Sequence, residues 1–75
     1  MTPAQCRAGR ALIEWSQTLL AEQADLGLST VVDFERLRRE VSPAAVAAMK
    51  AALQAGGVEF TPGNGVGPGV RLRKP

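Results

Sequence analysis

The chain has 75 residues, 45% of them hydrophobic, and a net charge of +2, which suits one small domain with one core. It contains no histidine and one cysteine, so the composition excludes an internal disulfide and a zinc site built from cysteine and histidine. A domain of this size often needs stabilisation beyond its own core. With a disulfide and such a zinc site excluded, association with a second copy remains as the means of providing it.

The sequence also predicts a cytoplasmic protein. Its apolar runs are too short to cross a membrane, and residues 1–5 lack the basic and apolar regions of a signal peptide. A lone thiol is typical of a reducing compartment. We expect no cofactor, no metal, no membrane contact and no small-molecule ligand.

The first segment predicts a helix that begins at Pro3. In Thr2-Pro3-Ala4-Gln5 the threonine can cap, the proline fits the first helical position and the glutamine completes a capping box. Trp15 is expected to close the helix. Its inward positions are Cys6, Gly9 or Arg10, and Ile13. We interpret Cys6 as a small core residue rather than a reactive thiol.

Residues 16–36 predict two short helices joined by a tight turn. Ser16 is a good N-cap, and the first of these helices is expected from about Ser16 to Gln23. The turn is Ala24-Asp25-Leu26-Gly27, and the second helix is expected from about Leu28 to Arg36 or Leu37. The residues predicted to face the core are Leu20, Ala21, Val31 and Phe34.

This segment resembles the helix-turn-helix of the Cro/CI-like (XRE) family of bacterial and phage regulators, and the resemblance covers most of residues 3–55. In that family the position of Asp25 is usually glycine, at a left-handed helix end. Aspartate fits that conformation at a cost of ~1 kcal/mol. The matching residues are Ser16-Gln17, Leu20-Ala21, Ser29-Thr30-Val31 and Glu35-Arg36.

The resemblance implies which residues meet DNA. The outward face of the second helix of the motif would contact base edges in the major groove, through Leu28, Ser29, Val32 and Asp33. The residues expected to contact phosphates are Gln17, Thr30, Arg36, Arg38 and Arg39. Because the outward face is poor in Gln, Asn and Arg, indirect readout would supplement it. The resemblance further implies a structural ion pair between Arg10 and Glu35.

Positive charge is concentrated in the second half of the chain. Residues 1–35 carry two arginines and five acids, whereas residues 36–75 carry seven cations and two acids. Basic clusters attract phosphate backbones, and a solvated charged surface is the alternative interpretation. The two clusters are Arg36, Arg38 and Arg39, and Arg71, Arg73 and Lys74.

A last helix is predicted from Ser42-Pro43 to Gly56-Gly57. Its inward stripe consists of Val46, Met49 and Leu53. Together these elements predict a helical DNA-binding domain over residues 1–57. The predicted fold is mainly α, a helix-turn-helix bundle of four to five helices like that of lambda repressor, with a short C-terminal β-ribbon.

Residues 58–75 form a second unit in the sequence. Val58–Thr61 and Val70–Arg73 alternate like short strands, and a glycine-rich loop over residues 62–69 separates them. An isolated two-stranded ribbon is marginal, so the strands need either the helical domain or the same strands of a second copy. In the second case the dimerisation residues are Val58, Phe60, Val70 and Leu72.

These features predict a small DNA-binding transcriptional regulator that binds a two-fold operator near a promoter as a homodimer, through residues 28–36 and the flanking arginines. Repression by occluding the promoter is the simplest mode, and activation through contact with RNA polymerase or a regulator protein stays open. The alternative is a protein-interaction module, anti-activator or antitoxin-like, that binds through Leu19, Leu28 and Val32. We do not expect an enzyme, because no nucleophile has an adjacent base.

Overall fold

The computed structural model describes residues 1–62 and 67–73. Over these residues the chain forms four helices followed by two strands, which confirms a mainly helical fold with a C-terminal ribbon. The centre of the predicted glycine-rich loop and Lys74 lie outside the described residues. The helices are α1 (Pro3–Leu12), α2 (Gln17–Ala24), α3 (Leu28–Glu35) and α4 (Pro43–Ala55), and the strands are β1 (Val58–Thr61) and β2 (Gly69–Leu72).

Hydroxyl caps begin three of the helices, as predicted. Gln5 donates its main-chain N–H to Thr2 Oγ1 at 3.1 Å, and Thr2 donates its own to Gln5 Oε1 at 2.8 Å, which is a reciprocal capping box. Ser16 and Ser42 each accept through Oγ the N–H three residues further on, at 3.0 and 3.2 Å. Because these caps depend on neighbouring residues alone, they were predictable from the sequence.

Left-handed residues follow the ends of the first three helices. Glu14, Asp25 and Leu37 have φ angles of 56°, 56° and 55°, a conformation that cannot continue a right-handed helix. The left-handed Asp25 is confirmed. The helix boundaries need correction: α1 stops before Trp15, and α3 stops at Glu35 rather than one or two residues later.

The core lies where the helices meet the ribbon. A Cβ atom on Gly9 would come within 3.4 Å of Val58 Cγ1, so α1 lies directly against β1. Phe34 and Val46 pack against the margin of this core. The largest fully buried side chains are Leu20, Met49, Leu53, Glu35, Val31, Val58 and Cys6, which confirms at least one predicted inward position in each of the four helices.

The two strands pair with each other and cover their own helical domain. They are antiparallel, with Val58 opposite Leu72 and Phe60 opposite Val70, and they contact α1 and α4. Val58 is fully buried in its own core, so its side chain has no surface to offer a second copy, and dimerisation through the other strand residues stays a prediction. Phe60 and Val70 also pack against this core, while Leu72 is 51% exposed.

Candidate nucleic-acid interface

Helices α2 and α3 pack against each other and are joined by a tight turn. Ala21 of α2 is buried, and α2 packs against both α3 and α4, so a larger side chain there would disturb the packing of α2. Leu26 N donates to Ala21 O at 2.9 Å, which holds the turn against the end of α2. Gly27 is the N-cap of α3 and makes no side-chain cap.

An ion pair between α1 and the end of α3 fixes the orientation of this unit. Arg10 Nε donates to Glu35 Oε2 and Arg10 Nη2 donates to Glu35 Oε1, both at 2.7 Å. Glu35 is 2% exposed, and two parallel bonds of this kind impose direction as well as attraction. The geometry that the resemblance implied for this pair is confirmed.

Other groups complete the environment of Glu35. Cys6 Sγ donates to Oε2 at 3.1 Å, and Gln17 Nε2 donates to Oε1 at 3.0 Å. Arg10 Nη1 also donates to Trp15 O at 3.0 Å. Side chains from α1 and α2 therefore meet at one carboxylate of α3, and no buried side-chain nitrogen or oxygen of the described residues lacks a partner.

The protonation states follow from this arrangement. Burial raises the pKa of the Glu35 carboxyl, but hydrogen bonds from Arg10, Cys6 and Gln17 outweigh it and hold that pKa below its ordinary value. The hydrogen bond to Glu35 raises the pKa of Arg10. Burial, and then the bond to Glu35, raises the pKa of the Cys6 thiol. The thiol therefore stays protonated and serves as a donor, which agrees with its interpretation as a core residue.

The outward face of α3 is only partly accessible. Leu28 is 46% exposed and Ser29 is exposed, whereas Val32 and Asp33 are half-buried. Asp33 Oδ2 accepts from Arg39 Nε at 2.8 Å. Asp33, predicted to contact a base, and Arg39, predicted to contact a phosphate, are thus paired with each other. A sequence spacing of six, across a helix end, is not a recognisable pairing signal.

The remaining predicted phosphate contacts fall into two groups. Arg36 and Arg38 are exposed, and neither forms an ion pair among the described residues. Thr30 is half-buried. The amide of Gln17 is directed inward to Glu35, so a phosphate contact there would depend on its second amide proton or its main-chain N–H. The role of Gln17 in DNA contact stays a prediction.

Two residues at this surface were missed by the sequence analysis. Arg7 Nη1 donates to the main-chain oxygen of Glu35, which satisfies a carbonyl at the C-terminus of α3. Leu37 is 78% exposed, more than any other large hydrophobic side chain in the part of the chain that the structure describes. Its position beside three arginines was visible in the sequence, but its outward orientation required the left-handed backbone.

Comparison with protein-family models gave no match, and no curated protein is significantly similar to this chain. The described part of the chain contains no group of three or more cysteine or acidic side chains that would hold a metal ion. No helix within those residues is long and apolar enough to cross a membrane.

Proposed function

We propose that this protein is a DNA-binding transcriptional regulator whose helix α3 enters the major groove. The observation that carries the proposal is the α2–turn–α3 unit, whose orientation the Arg10–Glu35 pair fixes from within. Pre-organisation lowers the entropic cost of placing α3 in a groove. The proposal includes a lambda-repressor-like arrangement of the helices and membership of the Cro/CI-like (XRE) family that the sequence resembles.

Two surfaces supply complementary contacts in this proposal. The exposed Leu28 and Ser29 lie at the start of α3, where a recognition helix contacts base edges. Arg36 and Arg38 follow its end and carry charges without an intramolecular partner among the described residues. They would bind phosphates without reading sequence. Affinity therefore depends more on these arginines than on the face of α3.

Binding as a homodimer agrees with the size of the molecule. Its longest extent is 30 Å, and adjacent major-groove half-sites are about 34 Å apart. Two copies therefore fit side by side along one face of a duplex. Occlusion of a promoter is the mode of regulation we propose, since it requires no further protein surface.

A mobility-shift assay on the DNA immediately upstream of the reading frame tests the proposal. We expect salt-sensitive binding, with Arg38→Ala weakening it for all sequences and lowering the salt slope by about one. The matched control is Arg71→Ala, which removes an exposed arginine already paired with Glu59 at 2.7 Å. No shift at low salt would refute the DNA-binding function.

Protein binding is the second candidate, because apolar exposure favours it. Leu28 and Leu37 are 46% and 78% exposed, and Asp33 is occupied by Arg39, which leaves the outward surface of this region partly apolar. An anti-activator or antitoxin-like module would bind a partner through this surface. Binding of a purified partner that persists at high salt, together with the absence of a DNA shift, would favour this function.

A further inference from the structure

Leu37 combines two unfavourable features at one position. Its side chain is 78% exposed, and its φ of 55° lies in the left-handed region that glycine prefers. Leu37 N donates to Phe34 O at 3.3 Å and Arg38 N donates to Asp33 O at 2.9 Å, the bond pattern of a helix end at which glycine is usual. No packing within the described core offsets either cost. Glu14 and Asp25 share this backbone conformation, but only Leu37 adds a large apolar side chain in water, and that side chain points to a contact outside the chain.

The surroundings of Leu37 determine which contact fits. Arg36 and Arg38 are exposed on either side, and Arg39 lies one residue further along. A second copy of this loop would bring like charges together, which is unfavourable in solution. A DNA minor groove offers the opposite arrangement, with phosphates on both rims and, between them, base steps into which leucine side chains are known to insert.

The position of the Leu37 loop after α3 is consistent with contact to a minor groove. With α3 in the major groove, the segment that follows its C-terminus leaves the groove across a phosphate strand, and the next groove is the minor one. We propose that Leu37 inserts into the minor groove beside the α3 site while Arg36 and Arg38 contact the phosphates on either side. This inference rests on the proposed DNA-binding function.

This contact adds sequence selectivity to a face of α3 that offers few polar groups. An apolar wedge partly unstacks the bases it enters, and pyrimidine–purine steps allow this most easily. Leu37 would therefore favour operators with such a step next to the major-groove site. Deformability of the DNA, rather than base hydrogen bonds, would set that preference.

The test uses a duplex that the wild-type protein selects from a random-sequence pool, with 2-aminopurine placed at the pyrimidine–purine step beside the major-groove footprint. Wild-type protein should raise the fluorescence of the base as it unstacks. Leu37→Ala should lose that signal and bind about tenfold more weakly, the scale of burying a leucine, with an unchanged salt slope. Leu12→Ala, which shortens another exposed leucine, should change neither quantity.

Leu37→Gly separates binding from folding. It relieves the left-handed strain, so it should raise the melting temperature while still losing the fluorescence signal. Unchanged affinity and fluorescence in both Leu37 variants would overturn the proposal. Loss of cooperativity on a two-site duplex, with intact single-site binding, would also overturn it and assign Leu37 to contact between copies. If the wild-type protein enriches no duplex, the DNA-binding function itself fails, and the minor-groove contact with it.

Discussion

The ion pair beneath α3 gives the sharpest test of how this small domain is held together. Arg10→Met would remove two charge-assisted bonds to Glu35 and one bond to Trp15 O. Glu35, which is 2% exposed in the wild-type protein, would lose its counter-charge, and breaking a buried pair in this way costs about 3–5 kcal/mol. A domain has a total stability of about 5–15 kcal/mol, so this loss is a large part of it. The corresponding fall in melting temperature is at least about 12 °C.

Thermal and urea denaturation followed by circular dichroism measure this effect. Arg7→Met is the matched control, since it removes an arginine of the same helix that is exposed and donates only to a main-chain oxygen. Its cost should be about 1 kcal/mol. If Arg10→Met does not fold, Arg10→Met with Glu35→Leu should restore folding, because no buried charge is left unpaired. Equal losses in the two single variants would refute the reasoning.

The pH dependence gives a second readout for the same pair. The folded pKa of Glu35 is lowered, so the pair stabilises wild-type protein above the unfolded pKa, and this contribution disappears as the pH falls through the folded pKa. Burial is the largest single influence on this pKa, so we expect the folded pKa of Glu35 to lie above the unfolded one when Arg10 is removed. Arg10→Met should then become more stable as the pH falls from above the folded pKa to below the unfolded one, and a loss of stability over that range would contradict the assigned cause.

Three further predictions concern single positions. Asp25→Gly should raise the melting temperature by a few degrees, because it relieves a left-handed residue worth ~1 kcal/mol; an unchanged value would contradict strain there. Gly56→Ala should destabilise by about 1–3 kcal/mol, since its Cβ would lie 2.8 Å from Trp15 Cζ2, and a stabilised variant would show that the ring moves freely. Cys6 should resist alkylation in native protein and react only after unfolding, because burial raises the pKa of its thiol; rapid native labelling, measured by mass spectrometry, would refute this.

Part of the candidate site was predictable because it depends on local chemistry. The cap at Ser16 is a property of a few adjacent residues, and the left-handed Asp25 was implied by the family resemblance; these two residues flank α2 as expected. The pairing of Asp33 with Arg39 was not predictable. It depends on how the chain turns after α3, where no helical or strand periodicity relates the two residues.

The sequence by itself determined the number, type and order of the elements, since caps, turns and apolar periodicity act over short distances. Only the tertiary structure decided where the side chains are directed. It turned Gln17 inward to Glu35, and it joined β2 to α1 through Gln5 Nε2 donating to Gly69 O, 64 residues away. Contacts of that range depend on the packing of the whole domain, so no local pattern reveals them. The ribbon is folded on its own helices, and Arg36 and Arg38 have no ion pair among the described residues.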